Sequence, residues 1–257
     1  DRIYNHLNAS GRFRKAINYD VSFSYQEQKR KLKSYNYEIL EGVEHDVNKF
    51  EYESRKVYYS KGMFSNFINK NDVFDFQFGY EIDQTKGFAS TSAGEFFQKP
   101  IERKLGTYDF FASSEVNLND KLSFRPGARV MFSEQFDTQY VMSLSAKYLL
   151  GKQWELRAIV GTSPRLPNYE EMYSYFVDVN HNVQGNENLN PEKGVSAFVH
   201  LKKNWNIGEN NSLEQKVSLW KINLKDKIDL IVVEESPLKY QYRNIDNYDV
   251  QGVTYLN

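Results

Sequence analysis

The sequence contains no cysteine, which removes disulfide frameworks, cysteine-ligated zinc, iron–sulfur clusters and thiol nucleophiles together. Net charge is also nearly absent. The 33 Lys and Arg against 34 Asp and Glu leave −1 over 257 residues, so no bulk field draws the chain to polyanions, and nucleic acid is not an expected partner. The longest apolar run, Leu230 to Val233, falls far short of the roughly 20 residues of a transmembrane helix. Mean hydropathy is −0.69. A β-barrel escapes that test, because its apolar residues alternate with polar ones. The opening residues, Asp1-Arg2-Ile3-Tyr4, lack the basic-then-apolar pattern of a signal peptide and read as mid-domain sequence. Nucleophile-elbow, zinc-protease, P-loop and dinucleotide-binding signatures are missing too, and no pair of acidic residues is singled out for glycosidase work, so an enzyme is not expected.

What is abundant is aromatic: 3 Trp, 19 Tyr and 18 Phe, 16% of a chain that is hydrophilic on average. Period-two alternation accounts for it. Ile17, Tyr19, Val21, Phe23 and Tyr25 alternate with Asn18, Asp20, Ser22 and Ser24, and Phe74, Phe76, Phe78, Tyr80 and Ile82 alternate with Asp75, Gln77, Gly79 and Glu81. The pattern recurs from Tyr108, Leu122, Tyr140, Trp154 and Val195 onward, each time the signature of a half-buried strand. With weaker strands near 3–13, 48–60, 213–222, 239–246 and 248–256, about twelve strands and no helix are expected.

The connections sort by length. Short turns fall near 14–17, 69–72, 119–121, 150–153, 206–212 and 246–247; longer segments, 26–47, 84–103, 133–138, 163–193 and 223–238, fall between them. Such alternation suits an antiparallel transmembrane β-barrel with short periplasmic turns and long external loops. Tyr140 and Tyr148 bracket Met142, Leu144 and Ala146 and stand ~27 Å apart along the strand. Tilted by ~40°, that span is ~21 Å, close to an apolar band of about 25 Å edged by aromatic girdles. The opposite column carries Arg125, Arg129, Lys147 and Arg157 with Asp20, Asp75, Glu81 and Glu115, as a water-filled lumen requires. A soluble β-sandwich with the apolar column as its core shares the alternation and stays open as an alternative. So does a passive porin-like barrel. Twelve strands in this length is about half of a ~22-strand barrel, and Val250 to Tyr255 reads as a strand cut midway.

The most specific sequence lies in segment 163–193. It opens with Gly161-Thr162-Ser163-Pro164-Arg165-Leu166-Pro167-Asn168-Tyr169-Glu170-Glu171-Met172-Tyr173 and closes with Gly185-Asn186-Glu187-Asn188-Leu189-Asn190-Pro191-Glu192-Lys193. This pair of boxes resembles the "GxxxRxPxxxELY" and "GNPxLKPE" boxes of TonB-dependent outer-membrane receptors. Leu118 to Arg129 is similar to that family's "LTDRLxLxPGxR" hairpin, and Tyr242 to Gly252 to its "NxxxxxxxGxE" hairpin. Pro164, Glu187 and Thr254 depart from the family's pattern. The resemblance covers about 105–256, and the residues before it match only as generic barrel strands. It implies a Gram-negative outer-membrane location and a 22-strand barrel occluded by an N-terminal plug. It implies import of a scarce small-molecule ligand such as an iron chelate, haem, cobalamin or a glycan, driven by the TonB complex through a plug that this chain lacks. Outer-membrane lipid would surround the wall. No resident cofactor is implied, haem entering only as cargo.

On this reading Arg165, Tyr169, Glu170, Tyr173, His181 and Asn186 lie nearest the ligand entrance. His181 offers an imidazole in an external loop, where haem iron is captured in some members, though a single loop histidine is more often just solvated. His6, His45 and His200 have no spacing for a joint metal site. Phe96, Phe97, Tyr169, Tyr173, Tyr175 and Phe176 form a stacking surface for a flat ligand or else pack the loops together. The run Lys29, Arg30, Lys31 and Lys33 reads first as a solvated or lipopolysaccharide-facing patch, with attraction of an anionic chelate as the sharper alternative.

Overall fold

A computed structural model describes residues 1–14, 17–66, 74–89, 102–177, 181–208 and 211–257. In chain order the elements are β1 (Arg2–Phe13), β2 (Ile17–Glu38), β3 (Val43–Asn66), β4 (Phe74–Ala89), β5 (Arg103–Asn117), β6 (Leu122–Ser133), β7 (Gln139–Gly151) and β8 (Trp154–Thr162). They continue with α1 (Tyr169–Tyr173), β9 (Tyr175–Val177), β10 (Asn182–Gln184), β11 (Lys193–Ile207), β12 (Asn211–Glu235) and β13 (Leu238–Leu256). All strands form one sheet, ordered β1 through β8, then β11, β12, β13, β10 and β9. Eleven long antiparallel strands make the wall, and β9 and β10 are three-residue strands of the segment between β8 and β11. The sheet is open, since β1 and β13 are not neighbours in it.

Register carries the sequence columns from strand to strand. Leu144 lies opposite Val160, Val160 opposite Ala197, Val199 opposite Leu219, and Leu219 opposite Val253. One apolar surface results. Its side chains stand in the open, Met142 at 63% exposed and Phe110 at 54%, and no second sheet covers them among the described residues. A soluble sandwich would bury this face; here the buried apolar residues among the described ones are Leu105, Leu166, Pro167, Tyr169, Met172, Leu189 and Ile228, none of them on it. The opposite face carries a ladder of ion pairs: Arg129 to Glu81 and Asp109 (3.1 and 3.3 Å), Arg125 to Asp75 (3.8 Å), and Lys147 to Glu115 (3.5 Å). This is the wet, inward face of a barrel wall.

Three expectations are corrected. Segments 26–47 and 223–238 are not loops, because β2 pairs with β3 and β12 with β13 almost to their tips at 39–42 and 236–237, with register shifts between Ser34 and Asn36 and between Val232 and Glu234. Polar side chains on both faces conceal these strands from an apolar count, while the backbone ladder satisfies the peptide groups regardless. Residues 246–247 form no turn. The ladder runs on through Asn247 opposite Lys225 and Ile245 opposite Lys227, so 239–246 and 248–256 are one strand rather than a hairpin. A helix does exist, the five residues of α1. The connections near 119–121, 133–138, 150–153 and 163–193 keep the expected alternation of sides; 84–89 belongs to β4, while 69–72 and 90–101 lie outside the described residues.

Candidate functional site

The segment between β8 and β11 does not stand away from the wall. Pro164 and Pro167 end the strand pairing, and Asn168 then caps α1. Its side chain accepts from the Glu171 N–H (2.9 Å), while Glu171 accepts from the Asn168 N–H (2.8 Å), a reciprocal capping box. The short helix packs Tyr169 and Met172 against Leu105 of β5, with Phe136 and Tyr173 alongside. Leu105 belongs to the inward column, so α1 lies inside the mouth, across from the strands that carry it.

Arg165 ties the two boxes together. Its backbone pairs with Glu192 through N–H to carbonyl bonds of 3.0 and 2.9 Å. Its guanidinium donates to both oxygens of Glu192 (2.8 and 2.6 Å) and, through Nη1, to both oxygens of Glu171 (3.0 and 2.9 Å). Glu192 also accepts from the buried Ile228 N–H of β12 at 2.7 Å. The side chains of Glu171 and Glu192 are only 12% and 9% exposed. Burial alone would raise the Glu192 carboxyl, but the Arg165 and Ile228 hydrogen bonds pull it below its ordinary value, and Arg165 is held still more firmly protonated by its carboxylates.

Asn186 is likewise engaged: Nδ2 donates to the Tyr242 carbonyl (3.0 Å), and Oδ1 accepts from the Asn188 N–H (2.9 Å). Gly185 lies so close to α1 that a Cβ there would stand 2.5 Å from the Met172 carbonyl oxygen and 2.7 Å from the Tyr173 nitrogen. Both neighbours are backbone and have nowhere to retreat. Gly185→Ala is therefore expected to loosen this segment by about 2 kcal/mol, read as roughly thirtyfold faster amide exchange across 165–192 with the wall strands unchanged.

Two arginines of the inward face meet the segment from across the mouth. Arg55 of β3 donates to Glu170 (2.6 Å) and lies 5.5 Å from the centre of the Tyr169 ring. Arg103 of β5 donates to Glu187 (2.7 Å) and lies 5.8 Å from the Tyr173 ring. Tyr169 and Tyr173 meet edge to face at 5.1 Å. Burial pushes the Tyr169 phenol up to about 12 and raises Tyr173 as well, so both stay neutral hydrogen-bond donors at neutral pH. The Tyr169 hydroxyl and Arg55 Nε are buried without a hydrogen-bond partner among the described residues.

Of the residues singled out in sequence, Arg165, Tyr169, Glu170 and Tyr173 gather on the α1 side of the mouth, with Asn186 at the β13 edge. His181 stands apart, its ring tilted 43° to that of Phe176 with centres 4.8 Å apart, beside the small β9–β10 pair, whose β10 adds in parallel to β13. Phe96 and Phe97 lie outside the described residues. The basic run falls on β2, where each cation has a carboxylate: Lys29 with Glu27, Arg30 with Glu53, Lys31 with Asp1 and Lys33 with Glu44. Arg55 and Arg103 were not flagged by sequence; a register that placed both in the inward column at its external end is the signal that finds them. Among the described residues no group of three His, Asp or Glu is placed to hold a metal ion.

The one-sheet wall, its wet inner face and the infolded segment between β8 and β11 are features of a β-barrel wall. The chain belongs to the TonB-dependent receptor-like β-barrel family, whose model matches residues 2–254. Its fold is similar to the siderophore receptor PirA from Pseudomonas aeruginosa, with a TM-score of 0.74, 14% identity, and 99% of this chain covering 46% of that one. A ferric enterobactin receptor (PfeA) structure from Pseudomonas aeruginosa gives 0.72, 14%, 99% and 41%, and the copper transporter OprC 0.69, 13%, 99% and 42%. The chain thus spans less than half the length of these structures. Comparison with curated protein sequences finds no match.

Proposed function

We propose that this chain forms the ligand-receiving part of an outer-membrane receptor that captures a scarce anionic small molecule, such as an iron chelate, for TonB-driven import. The observation that carries this reading is the infolded α1 segment, which brings Tyr169 and Tyr173 against Arg55 and Arg103 within the barrel mouth. Aromatic faces and guanidinium groups together suit a flat, negatively charged ligand. Glu170 and Glu187 now occupy the two arginines; an incoming anion would displace these exposed carboxylates at small cost, since such surface pairs contribute about 1 kcal/mol or less. Tyr169, Glu170 and Tyr173 are then nearest the entrance, Arg165 and Asn186 hold the segment in shape, and His181 lies to one side, just before β10. That the neighbouring folds include siderophore receptors supports the ligand class.

The test is uptake and binding by the complete receptor. Cells lacking it should fail to grow on one defined ferric chelate as sole iron source, and uptake should stop when the proton-motive force is collapsed. Arg55→Ala with Arg103→Ala should weaken binding of that chelate at least about tenfold. Unchanged binding by the double variant would reject the site, and uptake indifferent to the proton-motive force would favour a passive barrel.

A further inference from the structure

Lys56, Lys86 and Lys104 stand side by side on three adjacent strands. Lys56 of β3 is directly opposite Lys86 of β4, and Lys86 directly opposite Lys104 of β5. All three point outward, because their chain neighbours Arg55 and Leu105 point into the mouth and side chains alternate along a strand. Like charges directly opposite one another destabilise a sheet, and carboxylates relieve the row only in part. Lys56 reaches Glu27 at 3.9 Å and Lys104 reaches Glu134 at 2.6 Å, while Lys86 has no carboxylate partner among the described residues.

The position of the row gives it meaning. Two residues nearer the periplasmic side on the same face lies Tyr58, its ring 5.1 Å from that of Tyr25, and two strand steps further Ile82, Tyr108 and Phe132 stand abreast. The lysines therefore lie just beyond the aromatic edge of the apolar band, at the level where external-leaflet headgroups meet the wall. We propose that Lys56, Lys86 and Lys104 form a binding site for the phosphate groups of a glycolipid in the outer leaflet, with its acyl chains on the apolar face below. A free phosphate ion would need only the charges; the exposed apolar surface continuous with them favours a lipid. The inference rests on the outer-membrane reading above.

Fractionation first separates the two ideas: a receptor absent from the outer membrane fails that reading, not the site. The complete receptor is then extracted in mild detergent, and its binding to bisphosphorylated lipid A, dephosphorylated lipid A and inorganic phosphate is measured by native mass spectrometry. Lys56→Gln/Lys86→Gln/Lys104→Gln should weaken bisphosphorylated lipid A at least about tenfold. Lys121→Gln/Lys152→Gln/Lys216→Gln, which removes the same charge from the periplasmic side of the wall, should change it less than about twofold. The dephosphorylated lipid should bind both variants like the unmodified receptor. Equal losses in the two triple variants, no loss in the first, or inorganic phosphate competing as effectively as the lipid would each overturn the proposal. Should the first triple variant fail to fold, Lys86→Gln alone decides, with a loss of about threefold or more expected.

Discussion

Arg165→Ala should release the segment between β8 and β11 from the barrel mouth while leaving the wall intact. The guanidinium bridges Glu171 and Glu192, and its removal leaves two largely buried carboxylates facing each other with only backbone N–H groups, of Asn168 and Ile228, donating to them among the described residues. Breaking such an arrangement from one side costs about 3 kcal/mol, roughly a hundredfold in the opening equilibrium of the segment. Hydrogen exchange should therefore accelerate by that factor across 165–192 and in the Ile228 amide, which donates to Glu192, and remain slow in β5 to β8. Arg165→Lys should recover little, because an ammonium group does not bridge two carboxylates as a planar fork does. The pH dependence follows from Glu192. Its carboxyl titrates below its ordinary value of 4.5 in the folded segment, so its contribution is fully present above 4.5 and is lost as pH falls through the lowered value. Opening should accelerate only in that acid range. Uniform acceleration along the whole chain would show instead that the arginine supports the wall.

The second large effect concerns the apolar face. Leu144 lies midway between Tyr140 and Tyr148 on β7, opposite Pro126 and Val160, at the centre of the band. Leu144→Arg should destabilise the barrel by about 2–4 kcal/mol in lipid vesicles. Ser145→Arg, one residue along and facing the wet side, should cost less than about 1 kcal/mol even though it stands opposite Arg125. Urea titration of the complete receptor in vesicles reads both. Equal costs would contradict a lipid-facing surface.

Legibility followed physical contrast. Where one face is apolar and the other polar, as from Tyr140 to Tyr148, alternation marks the strand, its face and its length. Beyond the band both faces meet water, the contrast vanishes, and the outer halves of β2, β3, β12 and β13 look like loop. The Asp246-Asn247 pair has turn chemistry yet sits within an unbroken ladder, because β12 continues opposite it. The Arg165 and Glu192 boxes were legible as special, since prolines, a glycine and an asparagine cluster there. Their partnership was not, because 27 residues separate the two charges. Arg55 and Arg103 were out of reach for the same reason at longer range: Arg55 meets Glu170 across 115 residues, and Arg103 meets Glu187 across 84.

The paired extension of β2 and β3 reaches beyond the other strands as a single hairpin. From Glu27, level with the lysine row, to Glu38 the strand climbs roughly 25–30 Å at ordinary rise and tilt. With the chain in an outer membrane, as proposed, that height would clear the headgroups and enter the sugar coat. The tip at 39–42, with Ile39 and Leu40 almost fully exposed, would then stand open to antibodies, phage fibres and proteases on an intact cell. An epitope inserted at Gly42 should be displayed without disturbing the mouth.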